Sequence, residues 1–119
     1  MIPFTAFGDL TEIDVGEFAD KPTTLTPGQK EAAVTLYKSA GEALEVGVWE
    51  CTPGRFTSDR STFSEICHIL SGRLTLHNQD GSSRHFGPGE MFDMPLGWRG
   101  EWTIHETVRK IYLIISKPI

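Results

Sequence analysis

Three absences narrow the role of this chain before any motif is read. No run of Lys or Arg occurs, and the net charge is −5 with a pI near 5.3. Phosphate backbones and anionic membranes are bound by clustered cations, so neither nucleic acid nor a membrane is an expected partner. Trp49, Trp98 and Trp102 offer stacking faces, but no basic groove accompanies them. The only two cysteines, Cys51 and Cys67, lie outside any Cys-x-x-Cys pattern. That excludes a disulfide framework and a zinc knuckle and leaves two free, buried thiols. No stretch approaches the roughly 20 apolar residues of a membrane span. The N-terminal MIPFTAFGDL lacks the basic head and apolar run of a leader, so the expected location is cytoplasmic.

What is present reads as one domain. The 119 residues are 39% hydrophobic and 23% charged, the balance of an ordinary globular chain. Residues 1–30 carry Pro3, Pro22 and Pro27 with Gly8, Gly16 and Gly28 and show no sustained periodicity, which predicts an irregular N-terminal arm. Phe4, Phe7 and Phe18 suit that arm to docking on a second subunit. Residues 31–119 then form the single domain. Although GQKEAAV is compatible with a helix start, the alternation of VTLYK favours a strand over 33–38, closed by a turn at Ser39 to Gly41. Further strands are predicted over 43–52, 64–70, 73–79, 83–86, 91–94, 100–105 and 108–116. Asp80-Gly81 provides the strongest hairpin signal. Strands recurring every eight to twelve residues between Gly and Pro turns indicate an all-β sandwich or closed barrel. No phosphate loop, dinucleotide fingerprint, nucleophile elbow or repeat is present.

Two glycine-bounded stretches carry a family resemblance. Gly54, Glu65 and Gly72, with ICHILS between the last two, match the first cupin motif, and Gly89, Pro95 and Gly97 match the second. The chain therefore resembles the cupins, double-stranded β-helix (jelly-roll) barrels, over about residues 43–115. GVWECTPGRF, EICHILSG, PGEMFDMPLGWRGEW and ETVRKIYLI resemble in particular the cupin 3, or ureidoglycine aminohydrolase-like, subgroup, which includes the cupin of ethanolamine utilisation. The family's metal ligands are three His and one Glu. Here Arg60 and Thr62 stand at the two histidine positions of the first motif, and Gly100 and Ile104 at the histidine and asparagine positions of the second. Only Glu65 remains, and one carboxylate cannot hold a transition metal, so no metal or other cofactor is expected.

The expected site is a metal-free pocket around Glu65. Period two places Cys67 and Ile69 on the face of Glu65 and His68 on the opposite one. The family's inward position, carried onto Gly100, turns Trp98, Trp102 and Ile104 inward. His68, His77, His85 and His105 fall outside the ligand pattern and are expected at the surface or between sheets. A buried carboxylate needs a counter-charge, and Arg60 and Lys110 are the expected partners. Tyr112 shares a face with Lys110 and is expected to hydrogen-bond into the same cavity, with Trp49 and Phe92 as further lining. Glu65, Lys110 and Tyr112 are the catalytic candidates if the pocket is catalytic. A carboxylate beside Cys67 would raise its pKa and blunt it as a nucleophile. Each residue also has a plainer role: Glu65 as a structural charge, the tryptophans as core.

Three functions suit this pattern. The first is a small-molecule-binding cupin without metal. The second is an enzyme, either an isomerase or lyase working through Glu65 with Lys110 or Tyr112, or a metal-dependent amide or ureide hydrolase. The third is a homodimeric module whose pocket is vestigial. The fold is too widely reused to specify a reaction.

Overall fold

The computed structural model describes residues 1–116, so residues 117–119 of the expected domain lie outside the described residues. Eight strands follow in order: β1 (Ala19–Asp20), β2 (Lys30–Lys38), β3 (Leu44–Cys51), β4 (Gly54–Asp59), β5 (Ser64–Asn78), β6 (Ser83–Phe86), β7 (Met91–Met94) and β8 (Arg99–Ile115). The one helical turn is a short 3-10 segment, Ala40–Glu42, at the expected β2–β3 corner. Among the described residues no helix is long and apolar enough to cross a membrane.

Every strand pairing is antiparallel, and β5 and β8 hold the barrel together. The second half of β8 pairs with β3 and with the first half of β5, whose other edge pairs with β7. The first half of β8 pairs with β4 and with the second half of β5, which pairs in turn with β6. Two half-sheets result, joined through the same two strands. The bend lies where the β5–β8 register shifts, around Ser71 and Arg73. Gly72 has φ +87°, and a Cβ there would lie 2.2 Å from the Thr107 carbonyl oxygen, so the crossing requires glycine.

The sequence reading divided this region differently. It separated 64–70 from 73–79 and 100–105 from 108–116, whereas each pair is one long strand. The boundaries it drew coincide with the bend, where the side-chain alternation changes phase. It also passed over β4, in which Phe56 and Ser58 alternate inward against Arg55, Thr57 and Asp59. The strand expected over 33–38 begins earlier, at Lys30, because β1 and the end of β3 extend its pairing.

Between the half-sheets lies a core of Trp49, Cys51, Phe56, Cys67, Ile69, Leu74, Phe86, Met94, Trp102, Ile104, Val108 and Tyr112. Trp102, only 1% exposed, stacks on Phe56 at 5.4 Å and meets Trp49 edge-on at 5.6 Å. Phe92 bridges Phe86 at 4.5 Å and Trp102 at 5.4 Å. A second, outer cluster joins Val15 of the arm to Ala32 and Val48, with Leu10, Val34 and Leu36 around it. Arg109 fixes this part of the arm by donating to the carbonyls of Leu10 and Ile13, both at 2.7 Å. The arm thus contributes to the domain from Leu10 onward, while Met1, Ile2 and Phe4 stand in solvent.

Candidate functional site

The residues around Glu65 converge because β3, β5 and β8 run side by side. Trp49, Lys110 and Ile69 lie in one row across these strands, Gly47, Tyr112 and Cys67 in the next, and Glu45, Ile114 and Glu65 in the third. The common face of these rows looks into the barrel. Glu65 is 3% exposed, and both carboxylate oxygens are engaged. Oε2 accepts from Lys110 Nζ at 2.7 Å and from the Cys67 thiol at 3.2 Å, and Oε1 lies 2.8 Å from the Arg60 guanidinium. Arg60 reaches in from the β4–β5 loop, whose backbone is tied to the loop before β8: Arg60 N–H donates to the Trp98 carbonyl at 2.8 Å, and Gly97 N–H donates to the Arg60 carbonyl at 2.7 Å.

Electrostatics fix the charge states of this cluster. Burial works to raise the Glu65 pKa, but the adjacent Lys110 and Arg60 charges outweigh it and hold the carboxyl below its ordinary value of 4.5. Burial works against the Lys110 ammonium and is outweighed by Cys67 and Glu65, so its pKa lies above 10.5. Burial pushes the Cys67 thiol up to about 12, which keeps it neutral. Lys110 Nζ also lies 4.3 Å from the Trp49 ring centre and 4.5 Å from that of Trp102, so the ammonium meets two aromatic rings besides its carboxylate. On the far side of Trp49, Lys21 and Glu31 form a second pair at 2.8 Å, and Glu31 accepts the Trp49 indole N–H at 2.9 Å.

A cavity of ≈ 230 Å³ opens beside this cluster, lined by Ala33, Trp49, Glu65, Lys110, Tyr112 and Ile114. Of the nine residues singled out from the sequence, Trp49, Glu65, Lys110 and Tyr112 meet at this cavity, while Arg60 and Cys67 reach it only through the carboxylate. The other three are placed elsewhere. Phe92 and Trp102 are packed among core rings. Trp98 folds over Gly100, where an added Cβ would lie 2.4 Å from its ring, and its indole N–H donates to Asn78 at 2.8 Å. The ring packs against the edge of the core, in the space that Gly100 leaves for it.

Tyr112 also departs from expectation. Its hydroxyl donates to Glu45 at 3.0 Å, not to Glu65 or its partners. The cause is Gly47, directly across β3 from Tyr112, where a Cβ would stand 2.3 Å from the hydroxyl. The ring leans over that bare backbone toward Glu45, two residues along the same strand face. Glu45, Ala33 and Ile114 were not recognised from the sequence. Lys110 and Ile114 lie four residues apart on one face of β8, and that spacing was the available signal for Ile114.

The family's metal does not fit this donor set. Where imidazoles would approach the metal, an arginine and a lysine occupy the oxygens of Glu65. Among the described residues no group of three His, Cys, Asp or Glu is placed to hold an ion. The histidines lie apart from the cavity: His85 and His105 share the Thr75 hydroxyl at 2.6 and 2.7 Å, and His77 meets Thr103 at 2.8 Å.

A family model for the EutQ-like cupin domain matches residues 38–112, more than half of the chain. The chain belongs to the EutQ-like cupin family. Among solved structures, this EutQ-like cupin is similar to the EutQ protein of Clostridium difficile, with 22% identity, 90% of this chain and 83% of that chain covered, and a TM-score of 0.73. A protein of unknown function from Pseudomonas syringae pv. tomato, of the DUF861 family, gives 24% identity and a TM-score of 0.75, with 89% of this chain covered. This chain spans 46% of that protein's length. A protein of unknown function from Rhizobium leguminosarum bv. viciae gives 26% identity, 77% and 86% coverage, and a TM-score of 0.63. No curated protein matches this chain.

Proposed function

We propose that this EutQ-like cupin binds a small molecule, without a metal, in the cavity beside Glu65. The observation that supports this reading is a charged pair, Glu65 and Lys110, held 2.7 Å apart in the wall of an open cavity. A pair serving stability alone gains little from facing a cavity, since a buried ion pair is often no more stable than apolar packing of the same size. Binding accounts for the cluster better than proton transfer does. A general acid or base works best with a pKa near the operating pH, whereas Glu65 is held below its ordinary value and Lys110 above. Tyr112, the third catalytic candidate, directs its proton to Glu45. The test is a thermal-shift screen of small carboxylates, amines, amides and sugars against the full chain. A stabilising compound whose effect disappears in Ala33→Leu supports the reading, and no stabilisation across the set overturns it.

A second reading, pairing with another copy through the N-terminal arm, rests on a separate observation. Ile2 and Phe4 are 96% and 92% exposed, and Phe7 and Phe18 are also partly bare. Exposed aromatics in an extended segment favour burial against a partner surface. Light scattering of the full chain and of a form lacking residues 1–8, which leaves the docked segment from Leu10 intact, tests it. A dimer that becomes a monomer is expected, and a monomer in both forms overturns the idea.

A further inference from the structure

The charge arithmetic at the cavity identifies the class of ligand. Three ionised groups meet within hydrogen-bond distance: Arg60 and Lys110 are cations, and Glu65 is the single anion between them. Those three groups by themselves carry one positive charge in excess, and the Glu45 carboxylate lies farther along the same strand face, opposite Ile114 and not Lys110. The nearby Lys21–Glu31 pair is neutral as a unit and does not alter this count. Glu45 stands at the same face of β3, with its carboxylate receiving the Tyr112 hydroxyl at 3.0 Å and the Thr35 hydroxyl at 3.1 Å.

The hydrogen-bonding capacity is one-sided in the same sense. Both oxygens of Glu65 already have donors, including the Cys67 thiol. Lys110 has three N–H groups, of which one goes to Glu65. Among the described residues no second oxygen accepts from it; the Cys67 sulfur also receives a hydrogen bond from it, and the faces of Trp49 and Trp102 are further neighbours, which leaves one N–H for a ligand. The cavity thus has donor capacity to spare and little acceptor capacity. An ammonium ligand would meet the Lys110 cation and a carboxylate that is already taken. A sugar would need several donors and acceptors from walls that include Ala33, Ile114 and the Trp49 ring. A single negative charge with an apolar body fits both the charge and the walls. The volume of ≈ 230 Å³ is below the roughly 300–1,000 Å³ of sites for drug-sized ligands, which restricts the body to a short chain or one ring.

We propose that the ligand is a small monocarboxylate, its carboxylate against the Lys110 ammonium and its short apolar body against Trp49 and Ile114. The assignment rests on the pocket reading above and adds the ligand's charge and size to it.

A matched set of probes at constant ionic strength tests the assignment by calorimetric titration of the full chain: butanoate, benzoate, butanamide, butylamine and inorganic phosphate. Butanoate and benzoate are expected to bind at one site per chain, and the other three are expected to be at least about tenfold weaker. Ala33→Leu narrows the cavity without touching a charge and is expected to weaken the carboxylates by about tenfold or more. Lys110→Met is expected to abolish carboxylate binding; if that variant does not fold, Ala33→Leu carries the test. Binding of butylamine or butanamide in preference to butanoate, lost in Ala33→Leu, overturns the monocarboxylate assignment and leaves the pocket reading in place. Phosphate binding as tightly as butanoate overturns the requirement for an apolar body. Carboxylate binding unchanged in Ala33→Leu overturns the location. No binding by any probe overturns the assignment, and only a failed broad screen overturns the pocket as well.

Discussion

The two halves of β8 face the same barrel interior and build opposite environments in it. The first half turns in Trp102 and Ile104, which share one core with Phe56, Leu74, Phe86 and Phe92, Trp102 meeting the Phe56 and Phe92 rings. The second half turns in Lys110 and Tyr112, opposite Gly47, Glu65 and the mouth residue Ala33. Strand geometry and the principal partner, β5, are common to both. What differs is the residue that the flanking strand sets opposite the aromatic of each half: Phe56 of β4 faces Trp102, whereas Gly47 of β3 faces Tyr112. At Gly100 the space of the missing side chain is taken by the Trp98 ring. At Gly47 the Tyr112 ring leans across, and a cavity remains beside it. A glycine thus makes room, and the aromatic nearest to it decides whether that room is used for packing or left for a ligand.

This contrast can be broken from either side. In the packed half, Trp102→Ala is expected to cost about 3–5 kcal/mol in urea unfolding, the penalty of a cavity in a tight core. In the charged half, Glu65→Gln leaves Arg60 and Lys110 buried without an anion and is expected to cost about 3 kcal/mol, the lower end for breaking a buried pair. The same variant isolates a pH dependence. The folded carboxyl ionises below its ordinary 4.5, so as pH falls the unfolded chain takes up the proton first. The stability due to Glu65 is therefore complete above pH 4.5 and lost as pH falls below it, and Glu65→Gln should flatten that part of the stability–pH curve relative to the wild type. Tyr112→Phe removes one hydrogen bond to Glu45 and is expected to cost about 1 kcal/mol. Arg55→Ala, which cuts an exposed pair with Glu101 on the outer surface, is expected to change stability by less than about 1 kcal/mol. Finally, neither Cys51 nor Cys67 should react with a thiol reagent at neutral pH until the chain is unfolded, since both thiols are buried and pushed up to about 12.

Much of the fold was legible because alternation and turn chemistry are local. Asp80-Gly81 marked the β5–β6 hairpin, and the glycines at 54, 72, 89 and 97 marked the family spacing. Glu65 was legible as a buried charge, and its position on β5 pointed toward Lys110 and Arg60. The limits were just as physical. The bend at Gly72 looks like a strand end because a change of register interrupts the alternation without ending the hydrogen bonding. The direction in which Tyr112 leans depends on Gly47, 65 residues earlier, and no local pattern links the two. The position of the Trp98 ring likewise depends on the space above Gly100, and the contact of Lys21 with the Trp49 and Phe56 rings comes from a segment without periodicity.

The position of β8 has a consequence for how the chain acquires its structure. It is the last of the described strands, yet β3, β4 and β5 all pair with it, and Arg109 within it anchors residues from Leu10 to Ile13. Neither half-sheet can be completed until residues 99–115 are available, so the barrel closes in one late, cooperative event and not element by element as the chain emerges. Topologies dominated by such distant pairings fold on the slower, millisecond-to-second scale. Until that moment the apolar faces of β3, β4 and β5 have no permanent neighbour, which leaves them prone to association with other chains.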